Sequence, residues 1–129
     1  MCIGFIVDAS RDIGTGHWSR CTNLSKILSN KKNYFISRLI PIDNKREAKI
    51  KIIKINKRGF DSQELNKIIK YYKIKILIID NYNFNYSLQK KIRKYVKKLV
   101  IIDDHFNKKY CCDIFLNYSF LNIIESNYL

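Results

Sequence analysis

Short apolar runs alternate with amphipathic segments along the chain. The run from Cys2 to Val7 is apolar and rich in branched side chains, and it stops at Asp8, as a buried strand does. Later apolar or alternating segments predict further strands. These segments are Tyr34 to Ile40, Lys49 to Ile55, Lys75 to Ile79, Leu99 to Ile102 and Asp113 to Leu116.

Helical periodicity predicts three helices between these strands. The first runs from His17 to Asn30, and the third from Tyr86 to Lys97. The second follows Asp61, a predicted N-cap with Glu64 three residues further on, which is the capping-box pattern. The apolar faces are His17, Cys21, Leu24 and Leu28, then Leu65, Ile68, Ile69 and Tyr72, then Leu88, Ile92 and Val96.

The alternation of strands and helices indicates the fold class. Strands that are apolar on both faces are typical of a parallel sheet covered by helices on both sides. We therefore predict a doubly wound, Rossmann-like α/β domain. A length of 129 residues is room for one such domain, spanning residues 1–129.

The net charge and the excess of lysine over arginine bear on whether the protein binds nucleic acid. The formal net charge is +14, but only 6 of the 25 basic residues are arginine, the residue that bidentate phosphate recognition favours. The lysines are dispersed from Lys26 to Lys109, so the charge favours a solvated surface without a specific nucleic-acid partner. A noncatalytic polyanion-binding module is the alternative from another functional class, and it would bind DNA with a steep salt dependence.

The sequence also bears on location and redox state. It contains no apolar run long enough to span a membrane, and the first apolar run meets Asp8 too soon for a signal peptide. A cytoplasmic protein is expected. The cysteines form no C-x-x-C pair, so reduced and mostly buried thiols are predicted at Cys2, Cys21, Cys111 and Cys112.

Four aspartates mark one edge of the predicted sheet. Asp8, Asp80, Asp103 and Asp104 each follow a predicted strand. Because the carboxyl ends of parallel strands line the crevice where ligands bind, we expect these residues to gather on one rim. The alternative for each aspartate alone is a turn or a helix cap.

The loop before the first helix carries the most chemistry. Gly14, Thr15 and Gly16 let a ligand approach the backbone, and the helix N-terminus that follows favours an anion or a sugar oxyanion. A dinucleotide reading is weak, because G-x-G-x-x-G is not completed. His17 in the first turn is a candidate general base, since this position favours a neutral imidazole. A capping or packing histidine is the alternative.

Neighbouring side chains have predicted partners in this site. Asp8 or Asp12 would orient the His17 ring. Arg20, one turn after His17, would hold a rim carboxylate or an anionic substrate group, the alternative being a salt bridge to Asp8 or Asp103. The acidic and histidine residues show no metal-ligand spacing, so neither a metal nor another cofactor is predicted.

Three motifs in order resemble a known family. The first is Val7-Asp8-Ala9-Ser10 through Gly14-Thr15-Gly16-His17 to Arg20-Cys21. The second is Leu77-Ile78-Ile79-Asp80-Asn81-Tyr82, and the third is Val100-Ile101-Ile102-Asp103-Asp104 followed by Cys112-Asp113. Together they resemble the UDP-sugar hydrolases of pseudaminic acid biosynthesis, the PseG family with its spore-coat polysaccharide relatives.

The resemblance implies a fold, a reaction and a site. It implies the N-terminal domain of a two-domain glycosyltransferase-B architecture, whose C-terminal domain has no counterpart in the chain. The reaction is hydrolysis of UDP-2,4-diacetamido-2,4,6-trideoxy-β-L-altropyranose, with His17 activating the water. The substrate-binding set implied by the motifs is Asp8, Gly14, Thr15, Gly16, Arg20, Tyr82 and Asp103.

The expected partners follow from the same resemblance. They are a UDP-activated sugar and, where the chain is half of a split enzyme, a separate chain that carries the C-terminal domain. The alternatives to a split enzyme are a truncated gene product and a partial coding sequence. Because that domain supplies most of the nucleotide binding in the family, little hydrolase activity is expected of this chain alone. A related alternative is a glycosyltransferase-like enzyme in which His17 deprotonates an acceptor hydroxyl.

Overall fold

A computed structural model describes residues 1–9, 16–40, 50–56, 58–103 and 109–117. Within these residues, strands and helices alternate as the apolar pattern predicts. The strands are β1 (Cys2–Val7), β2 (Lys32–Ser37), β3 (Lys51–Lys54), β4 (Ile74–Asp80), β5 (Lys98–Ile102) and β6 (Ile114–Leu116). The helices are α1 (Gly16–Ile27), α2 (Ser62–Tyr71) and α3 (Tyr86–Ile92), and a 3₁₀ turn at Arg93–Tyr95 follows α3.

The strands form one parallel sheet in the order β3-β2-β1-β4-β5-β6. The chain first builds outward from β1 through β2 to β3. Helix α2 then carries it back across to β4, on the other side of β1. The boundary between β1 and β4 is therefore the topological switch point, where doubly wound sheets bind their ligands. The predicted fold class is confirmed.

Two apolar layers cover the sheet. On one face, the Trp18 side chain of α1 packs against Phe35, whose ring also contacts Phe5 at a centroid distance of 5.2 Å. On the other face, α2 and α3 bury Leu65 and Ile92 in a second cluster. The central strands are buried on both faces, which explains their unbroken apolar sequence.

The first helix packs its predicted face against the sheet, and Ser25 extends that face. His17 and Cys21 are buried as expected, Leu24 and Leu28 are half-buried against the same apolar cluster, and Ser25 is buried beside them. The Ser25 hydroxyl donates a hydrogen bond to the Thr22 carbonyl oxygen at 2.8 Å. Because this bond stays within the helix, the polar side chain can face the sheet at little cost.

Three elements end at least three residues before the predicted position. Helix α1 ends at Ile27 and not at Asn30. Strand β2 ends at Ser37 and not at Ile40, because the next two backbone N–H groups donate to the Asp8 carboxylate. Helix α3 ends at Ile92 and not at Lys97. There the Arg93 side chain donates hydrogen bonds to the Val96 carbonyl oxygen and to the Asp113 carboxylate.

The capped start of α2 gives a first prediction. The Asp61 carboxylate accepts a hydrogen bond from the Gln63 backbone N–H at 2.7 Å, so the predicted N-cap is confirmed. The bonded N–H is that of Gln63, one residue before Glu64, whose N–H a capping box would use. Asp61→Ala is expected to lower the free energy of unfolding by about 1 kcal/mol in a urea titration. Asp61→Asn keeps the acceptor oxygen and serves as the control. Equal stability of the alanine variant and the unmodified protein would contradict the prediction.

A hydrogen bond between β5 and the residue before β6 predicts how stability depends on pH. The Leu99 backbone N–H donates to the Asp113 carboxylate at 2.7 Å, and this bond lowers the pKa of Asp113, with help from Arg93. A carboxylate whose pKa is lower in the folded state than in the unfolded state stabilises the fold. This stabilisation is fully present above the pKa of the unfolded state, about 3.9, and is lost as the pH falls through the pKa of the folded state. Urea midpoints measured from neutral to acidic pH should therefore fall less steeply in Asp113→Asn. Identical slopes for both proteins would refute this.

No helix in the described part of the chain has the length and apolarity needed to cross a bilayer.

Candidate active site at the switch point

The structure brings three of the four rim aspartates to the carboxyl edge of the sheet. Asp8 follows β1, Asp80 is the last residue of β4, and Asp103 follows β5. Val7 is in register with Asp80, so the ends of β1 and β4 lie side by side at the switch point. Asp104 lies outside the described residues.

Asp80 is the centre of this edge. Its side chain is 1% exposed and shares the α1 side of the sheet with Ile78. The guanidinium of Arg20 forms a two-pronged ion pair with it, with Nε 2.9 Å from Oδ2 and Nη2 3.0 Å from Oδ1. This pairing compensates for removing the carboxylate charge from water. Arg20 therefore holds a rim carboxylate, as expected, but neither Asp8 nor Asp103.

His17 is bound to the same carboxylate. Its Nδ1 lies 2.5 Å from Asp80 Oδ1, in a buried contact. Arg20 Nη2 is 3.0 Å from the same nitrogen. Because both Asp80 oxygens can only accept, the shorter contact places the proton on Nδ1, and Nε2 is then the nitrogen able to accept. Asp80, and not Asp8, orients the ring, while Asp12 lies outside the described residues.

The remaining contacts of His17 leave Nε2 available. Within the described part of the chain, no hydrogen bond to Nε2 is present. The Tyr82 ring meets the imidazole edge-on, at a centroid distance of 4.7 Å and an interplanar angle of 84°. Tyr82 is 48% exposed, so the imidazole lies just beneath the surface of the rim. A carboxylate-oriented imidazole of this kind can take a proton from a bound water or hydroxyl.

The thiol of Cys21, next to Asp80, is unreactive. Cys21 is buried on α1 with its Sγ 4.0 Å from Asp80. Burial raises the pKa of this thiol, and the negative charge of Asp80 raises it further against the opposing charge of Arg20. Cys21 therefore stays a protonated thiol that packs beside Asp80. All four cysteines are free thiols, as predicted, but only Cys21 is buried, and the other three are half-buried.

Asp8 ties three strand ends together. One carboxylate oxygen accepts from the backbone N–H groups of Arg38 and Leu39, at 2.7 and 3.0 Å. The other accepts from the Arg38 guanidinium and from Asn81 Nδ2, the latter at 2.8 Å. The side chain is 2% exposed, and each of these bonds is to the protein. Asp8 thus joins the ends of β1, β2 and β4, and its implied contact with a substrate stays a prediction.

Gly16 opens α1 next to this network. A Cβ atom built at Gly16 would meet no other atom of the described residues within 4 Å. The predicted approach of a ligand to this backbone stays a prediction. Gly14 and Thr15, the other two residues of that predicted loop, lie outside the described residues.

Asp103 belongs to a different part of the edge. Its carboxylate accepts a hydrogen bond from the Tyr110 hydroxyl at 2.7 Å. Both residues line a cavity of about 290 Å³ between α3 and the ends of β4 and β5. Tyr82 also lines this cavity, so its ring lies between the cavity and His17.

Three residues of the site were not in the predicted substrate-binding set. Asp80 was predicted on the rim from its place after a strand, and alternation puts it on the same face as Ile78, but the sequence does not show that α1 covers this face. Arg38 and Asn81 carried no signal, since their bonds to Asp8 join residues 30 and 73 positions apart. Within the described ranges, no three His, Cys, Asp or Glu side chains form a group that could hold a metal ion.

No protein-family model matches this chain, and no curated protein matches it.

Proposed function

We propose that this chain is the N-terminal part of a UDP-sugar hydrolase of the PseG type, with His17 as the general base. The reaction is the release of UDP from UDP-2,4-diacetamido-2,4,6-trideoxy-β-L-altropyranose. The observation that carries the proposal is the His17–Asp80 pair at the switch point. A nucleotide-sugar substrate agrees with the cytoplasmic location expected from the sequence.

The proposed chemistry uses the two nitrogens of His17 differently. Nε2 takes a proton from a water molecule as its oxygen attacks the anomeric carbon. The bond from that carbon to the phosphate oxygen breaks, and its electron pair leaves with UDP. The imidazolium that forms is stabilised through Nδ1–H by the Asp80 carboxylate, 2.5 Å away. The proton then passes to solvent, and no metal is needed for these steps.

The other residues have positioning roles in the proposal. Arg20 holds Asp80 in place, and Tyr82 packs against the imidazole. The backbone at Gly16 and the N-terminus of α1 would receive the departing anion. A second α/β domain, on this chain or a separate one, would bind the uracil and diphosphate.

The test is the appearance of UDP and free sugar without an added acceptor. It uses the protein in its native form, with any chain that co-purifies, and follows UDP by phosphorus NMR. We expect His17→Gln to slow the release by about 10²–10⁴-fold, the usual contribution of a general base. Lys26→Gln, an exposed position on the same helix, is the matched control and should leave the rate unchanged.

Two other outcomes would overturn parts of the proposal. If UDP appears only when an acceptor is added, the chain belongs to the glycosyltransferase-like alternative. If UDP is released equally fast by His17→Gln, the proposed base is wrong.

A further inference from the structure

The cavity near Asp103 lies apart from the proposed base. It is on the α3 side of β4, whereas His17 and Asp80 are on the α1 side. Its floor is made of the buried side chains Ile79, Phe84 and Ile101. The ring of Tyr86 forms a wall. Apolar and aromatic surfaces therefore dominate what a ligand would meet there.

Most polar groups of the lining are already bonded within the protein. The side-chain amides of Asn81 and Gln89 each donate one hydrogen bond and accept another. The Tyr110 hydroxyl donates to Asp103. A ligand hydroxyl placed on the floor would have to displace one of these bonds, which costs free energy in a buried site.

Lys109 supplies the one cation among the described residues that line the cavity. The ammonium of Lys109, an exposed residue, lies above the Tyr86 ring at 4.6 Å from its centroid. An ammonium in this position keeps N–H groups that can donate to an oxygen at the mouth of the cavity. The cavity thus combines an apolar floor with a single cationic donor at its mouth.

The volume limits the size of the ligand group. A cavity of about 290 Å³ is at the lower limit of the range for small-molecule pockets, about 300–1,000 Å³. It has room for one sugar-sized group and not for a whole nucleotide sugar. A complete substrate would therefore place only one part here and extend past Tyr82 toward His17.

We propose that this cavity is a specificity pocket for a small acyl group, such as the acetyl of an acylamino sugar. The methyl group would lie on Ile79 and Ile101, and the carbonyl oxygen would accept a hydrogen bond from Lys109. This inference rests on the proposed function for its substrate. A sugar with a hydroxyl in that place loses the apolar contact, which is worth roughly 10–200-fold in selectivity.

Binding of simple sugars to the 129-residue chain tests the pocket directly. Methyl NMR signals of Ile79 and Ile101 are followed while N-acetylated glucosamine, galactosamine and mannosamine are added, each compared with its parent hexose. We expect at least one acetylated sugar to shift both signals, and its parent hexose to bind at least about tenfold more weakly. Tyr86→Ala should abolish the shifts. Tyr71→Ala, on the 80% exposed ring at the far end of α2, should preserve them.

The outcomes separate this inference from the proposed function. Because His17 does not line the cavity, His17→Gln should leave the methyl shifts unchanged. If no acetylated sugar shifts Ile79 and Ile101, or if each pair binds equally, the acyl pocket is wrong, whatever the rate of UDP release. If the shifts occur but UDP release does not depend on His17, the pocket stands and the proposed base fails.

Discussion

Asp8→Ala is expected to destabilise the fold by about 3–5 kcal/mol, the usual cost of removing one partner from a buried ion pair. The substitution leaves the Arg38 guanidinium, 12% exposed, without its carboxylate. It also leaves the backbone N–H groups of Arg38 and Leu39 without their acceptor. Because domains are stable by only about 5–15 kcal/mol, the variant should unfold at a much lower urea concentration.

The control for this result is an exposed aspartate. Asp61→Ala removes a carboxylate that bonds one backbone N–H at the surface, so it should cost about 1 kcal/mol. A loss no larger in Asp8→Ala than in Asp61→Ala would show that the strand ends do not depend on this network. Arg38 also donates to the Arg58 carbonyl oxygen and stacks on Phe60, so the network reaches the loop before α2.

Asp80→Asn is expected to reduce the proposed hydrolysis by about 10²–10⁴-fold while the fold survives. A neutral amide no longer stabilises the imidazolium at His17, and its own N–H groups can turn toward Nδ1 and reverse the tautomer. The stability loss should be smaller, about 1–3 kcal/mol, because the Arg20 side chain is 30% exposed and can turn to water. Rates are measured as UDP release, and stability by urea unfolding.

Asp113→Asn is the matched control for Asp80→Asn. It makes the same chemical change in a carboxylate that pairs with Arg93 and not with His17. It should therefore lower stability with a much smaller effect on the rate of UDP release, measured under conditions where both variants are folded. Equal rate losses in the two variants would mean that Asp80 acts only through the fold.

Local pattern was sufficient to predict the frame of the site. The apolar run from Cys2 to Val7 and the break at Asp8 locate β1 to the residue. The rule that parallel strands end at one edge then places Asp8, Asp80 and Asp103 on the same edge of the sheet. The position of His17 in the first turn of α1 follows from glycines before it and helical spacing after it.

The pairing inside the site depends on distant contacts that leave little local signal. The sequence predicts a carboxylate near His17. That this carboxylate is Asp80 depends on which face of β4 is covered by α1. Arg38 lies inside the predicted strand Tyr34 to Ile40, and nothing near it indicates that the strand ends early. It ends early because Asp8, 30 residues before Arg38, captures its backbone N–H.

The tautomer of His17 is the most direct measure of the central claim, that Asp80 leaves Nε2 able to accept a proton. Long-range proton–nitrogen NMR distinguishes the two ring nitrogens, and the chain has only two histidines to assign. At a pH where the ring is neutral, we expect the proton on Nδ1 in the unmodified protein. In Asp80→Asn we expect at least part of the population to carry the proton on Nε2 instead. A proton on Nε2 in the unmodified protein would contradict the claim.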